Sequence, residues 1–174
     1  MNIGEGISGA AFSEDGSQRF ALWRVWGRTE GSLLFTGLNP SKAGHIKNDP
    51  TVVRMVNFAK LWGFSGLFVS NLFSQVTPYP DELVAGPGGD PIQEAFFALN
   101  DVALVKMRKL CKAAVVGWGE FGKRYPTRVA DVLKLIGEPV YCIKVNPSGE
   151  PSHPLYLPGK SKLIRYYRKG ACHE

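Results

Sequence analysis

Only three cysteines occur in the 174 residues, Cys111, Cys142 and Cys172, widely separated and with no C-x-x-C pair. That spacing argues against a zinc site, an iron–sulfur cluster or a disulfide framework, and leaves buried or incidental thiols. No apolar run approaches the roughly 18 residues that a membrane helix needs. The N-terminus, Met1-Asn2-Ile3-Gly4-Glu5-Gly6, lacks the basic and apolar regions of a secretory signal, so the chain reads as cytoplasmic. A phosphate loop is missing: Gly86-Pro87-Gly88-Gly89-Asp90 follows no strand and lacks the required Lys and Ser/Thr. There is no serine nucleophile elbow, the cysteines have no clear base partner, and no internal repeat is present. No cofactor and no metal are expected.

What is present describes an ordinary globule of one domain, with 44% hydrophobic and 11% aromatic residues. The net charge of +6 favours a polyanionic partner, nucleic acid or nucleotide, with DNA the first choice and no membrane.

Residues 1–18 are rich in Gly and Ser and read as a flexible arm; residues 19–174 form the domain. A strand is expected over 20–26, and the polar 28–31 reads as a hairpin turn into a second strand, 33–36, ended by Gly37 and Pro40. Asp49 can cap a helix whose first position suits Pro50, ending near 62–63. A buried strand over 67–73 follows, and strand, helix and strand in this order imply a parallel crossover. The loop 74–91 is long and rich in Pro and Gly, which marks it as functional. A helix over 92–110, a strand over 113–117, a helix over 127–136 and a last strand over 140–145 complete a three-layer α/β/α sandwich with a mainly parallel central sheet.

Several polar groups fall at the carboxyl ends of these strands, where open α/β sheets keep their ligands. Asn39 stands in Gly37-Leu38-Asn39-Pro40-Ser41, either as a turn residue or as a site residue. Asn71 ends the second buried strand, as a structural brace or as a ligand-reading amide. His153 lies in a Ser-His-Pro turn followed by Leu155-Tyr156-Leu157, and Trp118 is either a stacking platform or core. The tail 160–169 mixes five basic residues with Tyr166 and Tyr167, which suits contact with phosphates and bases or a solvated surface helix.

Taken together, Phe20-Ala21-Leu22-Trp23, Leu38-Asn39-Pro40-Ser41, Asp49-Pro50-Thr51, Phe58-Ala59-Lys60-Leu61-Trp62-Gly63, Val69-Ser70-Asn71-Leu72-Phe73 and His153-Pro154-Leu155-Tyr156-Leu157 resemble domain-of-unknown-function family 1643 over about residues 19–157. More distantly the order of motifs resembles the uracil-DNA glycosylase superfamily. That resemblance implies Asn39 as the residue that positions the attacking water, Asn71 as the reader of a flipped base, and His153 as the stabiliser of charge on the leaving base. It implies a substrate-binding set of Gly37, Leu38, Pro40, Ser41, Asn71, Phe73, Trp118, Pro154, Leu155 and Tyr156, and a phosphate-contacting set of Lys42, Lys160, Lys162 and Arg165. Ser41 stands where that superfamily has a small Gly. Asn146-Pro147-Ser148-Gly149 resembles one branch's version of the His-Pro motif and competes with it.

The expectation is therefore a glycosylase-like protein hydrolysing an N-glycosidic bond of a damaged or modified base in DNA. The alternatives are a non-catalytic nucleic-acid or nucleotide binding module, and an enzyme processing modified nucleotides of phage or host origin.

Overall fold

Leu33 and Phe35 belong to one apolar cluster and Leu34, between them, to another. This is the two-residue period of a strand covered on both faces. The computed structural model describes residues 7–41, 44, 47–86 and 88–168. Its strands are β1 (Ile7–Phe12), β2 (Arg19–Val25), β3 (Ser32–Gly37), β4 (Gly66–Asn71), β5 (Cys111–Val116), β6 (Val140–Cys142) and β7 (Ile164–Arg165), and its helices are α1 (Pro50–Leu61), α2 (Pro91–Leu110) and α3 (Pro126–Ile136). The fold is α/β, with one seven-stranded sheet in the order β1-β2-β4-β3-β5-β6-β7.

The helix starts follow their capping chemistry. Asp49 accepts the Val52 N–H at 2.8 Å and Pro50 takes the first turn of α1. Asp90 and Pro91 repeat the arrangement at α2. Val52, Met55, Phe58 and Ala59 of α1 pack with Leu33, Phe35, Leu67 and Val69. Leu104 and Met107 of α2 and Val129, Val132 and Ile136 of α3 pack with Leu34, Phe68, Ala114 and Val116. The sheet therefore carries one core on each face.

Four expectations change. The sheet is mixed rather than mainly parallel: β4, β3, β5 and β6 are parallel, while β1 with β2, β2 with β4 and β6 with β7 are antiparallel. Residues 28–31 do not make a hairpin of neighbouring strands, because β4, buried at every position, lies between β2 and β3 and pairs with both. The N-terminal stretch is not a loose arm throughout, since Ile7–Phe12 pairs with β2 across the sheet edge. Finally, the strand expected over 140–145 stops at Cys142. The chain turns back through 143–152, held by Ser152 N–H to Lys144 O at 2.8 Å and Asn146 N–H to Glu150 O at 2.8 Å. The sheet then gains β7 from the basic tail.

Candidate functional site

The ends of β3, β4 and β5 are laced together before they diverge. Gly37 pairs with Asn71, Leu72 N–H donates to Gly37 O, Phe73 N–H to Leu38 O, and Gly117 N–H to Thr36 O, each at 2.9 Å. Gly119, at φ +76°, donates its N–H to Pro151 O at 2.9 Å, which draws the Ser152-His153 segment against the end of β5. The first turn of α1 and the Thr77-Pro78 part of the long loop close the remaining sides. The result is a cleft of about 630 Å³.

Asn39, Asn71 and His153 all line it. Asn39 donates both amide hydrogens to backbone carbonyls, Pro40 O at 3.1 Å and Thr77 O at 2.7 Å. Two carbonyl acceptors fix which end of the amide is nitrogen, so Oδ1 is left as an acceptor. Asn71 is 4% exposed, and its side-chain amide has no hydrogen-bond partner among the described residues. A buried amide without partners needs an explanation, and here it is turned to a cleft that can hold one. Its Oδ1 lies 2.9 Å from where a Cβ on Gly37 would stand, so only glycine leaves it room.

The His153 Nδ1 accepts the Leu155 N–H at 3.4 Å, a long contact that directs Nε2 outward as the protonated nitrogen. Burial holds its pKa below the ordinary 6.5, against the opposing pull of the Asp49 carboxylate. The neutral ring is therefore the form at home here. A histidine less protonated when folded than when unfolded contributes stability that is lost as pH falls through the unfolded value of 6.5 toward the depressed folded one. His153→Gln is expected to flatten the acid limb of stability in that interval, measured by urea unfolding at several pH values.

Asp49 does more than cap. Its Oδ2 accepts from Ser41 Oγ at 2.7 Å while Oδ1 holds the helix start. Its charge also acts on Arg19, a cleft residue only 3% exposed, whose pKa is lowered by burial to about 10 and partly restored by Asp49. The loop before α1 is tied down by Arg24, which donates to Asn48 Oδ1 at 2.8 Å and Gly44 O at 2.8 Å.

Of the other predicted residues, Gly37, Leu38, Ser41, Leu155 and Tyr156 also border the cleft. Tyr156 is 83% exposed, its ring 5.8 Å from that of His153. Trp118 touches the cleft wall but is a core residue: 1% exposed, its Nε1–H on Glu150 Oε2 at 2.6 Å and its ring edge-on to Tyr166. Pro40 and Pro154 are buried and act through the backbone, Pro40 O receiving both the Asn39 amide and the Thr77 N–H.

Phe73 is a correction. It packs on the opposite core, edge-on to Phe97 and Tyr125, because it follows Leu38 in the ladder rather than facing the cleft. The proposed phosphate contacts separate too. Lys160 and Lys162 are exposed away from the cleft, and Arg165 sits on β7, paired with Glu138 at 2.8 Å. Lys42 lies outside the described residues. The tail is an edge strand with Tyr166 buried, not a surface helix.

Sequence reasoning missed Arg19, Thr77, Glu120, Lys144 and Ser152 in the cleft, named Asn146 only in a competing turn, and credited Asp49 only as a cap. Both competing turns reach it, but Asn146 Oδ1 is occupied by Ser152 Oγ whereas His153 Nε2 is not. The Cys111 and Cys142 thiols are pushed up by burial, to about 12 and about 11, which makes them poor nucleophiles. Among the described residues no group of three His, Cys, Asp or Glu side chains gathers to hold a metal, and no helix is long and apolar enough to cross a membrane.

No curated protein and no solved structure matches the chain. The family described as Protein of unknown function (DUF1643) matches residues 19–155, a span that holds β2 through the His153-Pro154 turn and nearly every cleft residue named above, and the chain belongs to that family.

Proposed function

We propose that the cleft binds a nucleobase and that the protein cleaves, or descends from proteins that cleave, an N-glycosidic bond. The observation that carries this reading is the complementarity of three side chains on one cleft. Asn39 offers a fixed acceptor, Asn71 offers a donor and an acceptor on one amide, and His153 offers a donor. An amide with both functions suits the edge of a base. A neutral imidazole N–H suits the oxygen on which negative charge collects as a base departs.

Breaking the bond sends its electron pair onto the base, stabilised by His153, and leaves positive charge on the sugar. Water held by Asn39 Oδ1 then adds to that carbon, and the proton that it sheds neutralises the departed base anion, leaving free base and a sugar hydroxyl. A carboxamide orients water without taking its proton, so bond breaking must run ahead of water attack. The α/β/α sandwich of the glycosylase kind, with α1 on one face and α2 and α3 on the other, is part of this proposal and agrees with the two cores of the sheet.

The test is incubation with oligonucleotides and nucleotides carrying uracil, hypoxanthine, xanthine or hypermodified pyrimidines, followed by alkaline cleavage of abasic products and chromatography of released base. Base release that disappears in Asn39→Ala supports the enzyme. Binding without release in any substrate removes the catalytic half and leaves a base-binding module, the second reading favoured by the unpartnered amide of Asn71.

A further inference from the structure

The volume and charge of the cleft say what surrounds the base. About 630 Å³ falls within the roughly 300–1,000 Å³ that encloses a whole drug-sized ligand, well beyond a single base ring. Four charged residues line it: Arg19, Asp49, Glu120 and Lys144. The charge of Asp49 acts on Arg19. Glu120 is engaged twice, by Ser148 Oγ at 2.8 Å and Lys123 Nζ at 3.5 Å. Lys144 has no ion-pair partner among the described residues. Its backbone is anchored by the Ser152 N–H, so it is held one residue from His153 across the turn.

Among the described residues, the surroundings of the mouth do not suit a polymer. A nucleic-acid strand needs a track of available cations leading away from the base. Here Arg124 pairs with Asp81, Lys123 with Glu120 and Arg165 with Glu138, while Lys160 and Lys162 lie off the cleft. The Arg124–Asp81 pair also joins two walls, since Pro80 and Phe121 beside those residues both line the cleft.

We propose that the ligand is a free nucleoside monophosphate taken as a unit, with its phosphate on Lys144 and its base on Asn71. This rests on the base-site reading above and narrows it from nucleic acid to nucleotide. Lys144 is then a specificity residue that separates nucleotide from nucleoside.

Calorimetry with deoxynucleosides, including deoxyuridine and deoxyinosine, their 5′-monophosphates, inorganic phosphate and a short single-stranded oligonucleotide tests it. The expected result is a monophosphate bound about tenfold or more tighter than its nucleoside, the scale of one charge-assisted contact. Lys144→Gln, an exposed position, brings the monophosphate to the nucleoside level and leaves nucleoside binding unchanged; Asn71→Leu removes both. An oligonucleotide bound more tightly than any monophosphate, or monophosphate affinity unaffected by Lys144→Gln, overturns the proposal while the base site stands. Inorganic phosphate binding with no preference for any base overturns both.

Discussion

Replacing Trp118 with alanine is expected to destabilise the protein by roughly 3–5 kcal/mol, the range for emptying a buried aromatic site. The indole is 1% exposed and edge-on to Tyr166 at 6.2 Å, so its removal opens a cavity where the tail packs on the sheet. A second cost adds to the first. Glu150 is 6% exposed and accepts the indole N–H at 2.6 Å, and without it a buried carboxylate oxygen loses a donor. Gly122 lies against the same indole and carboxylate and has no side chain with which to fill the space. Trp118→Phe separates the two effects by keeping most of the ring and losing only the hydrogen bond. Urea unfolding should order the variants wild type, Trp118→Phe, Trp118→Ala. Equal stability of the two variants would mean that the hydrogen bond, not the packing, carries the effect.

Trp118 also shows where the sequence was legible and where it was not. Its place at the end of a strand identified it, but a strand end reads equally as core or as ligand platform, and the partner that decides, Glu150, is remote in sequence. Local signals performed well. The Asp-Pro starts of α1 and α2 and the apolar runs of β3, β4 and β5 depend on near neighbours, and the structure has them within a residue or two. The position of β4 between β2 and β3 depends on which strand can bury both faces, a global competition that no turn motif reveals. The convergence of Asn39 and Asn71 was foreseeable because they stand at the ends of the parallel strands β3 and β4, whereas His153 comes in on the return arm after the 143–152 turn, held by Gly119 N–H on Pro151 O. Lys144 and Glu120 were not, since a charged residue on a turn looks like any solvated one until the chain is seen to fold back at 143–152. Phe73 failed for a related reason. β4 ends at Asn71, so strand alternation no longer sets which way Phe73 points, and its ring packs with Phe97 and Tyr125.

Gly37→Ala is expected to abolish ligand binding while leaving the fold nearly as stable as before. The new Cβ would lie 2.9 Å from Asn71 Oδ1 and 3.8 Å from the Met55 methyl. The backbone there is ordinary strand, so the substitution introduces no dihedral strain, and the crowded atom is the tip of a side chain rather than main chain. The amide can therefore turn away at little cost in stability, but in turning it gives up the orientation in which donor and acceptor face the cleft. A shift in the Asn71 side-chain amide NMR signals should accompany the loss, with unfolding free energy changed by less than about 1 kcal/mol. The decisive measurement is a double-mutant cycle with Asn71→Ala. If Gly37 acts only by leaving room for that amide, Gly37→Ala costs no further affinity once the amide is gone. An additive loss in the double variant would show instead that the methyl group obstructs the ligand itself, and would move the base from beside Asn71 to the floor of the cleft over β3.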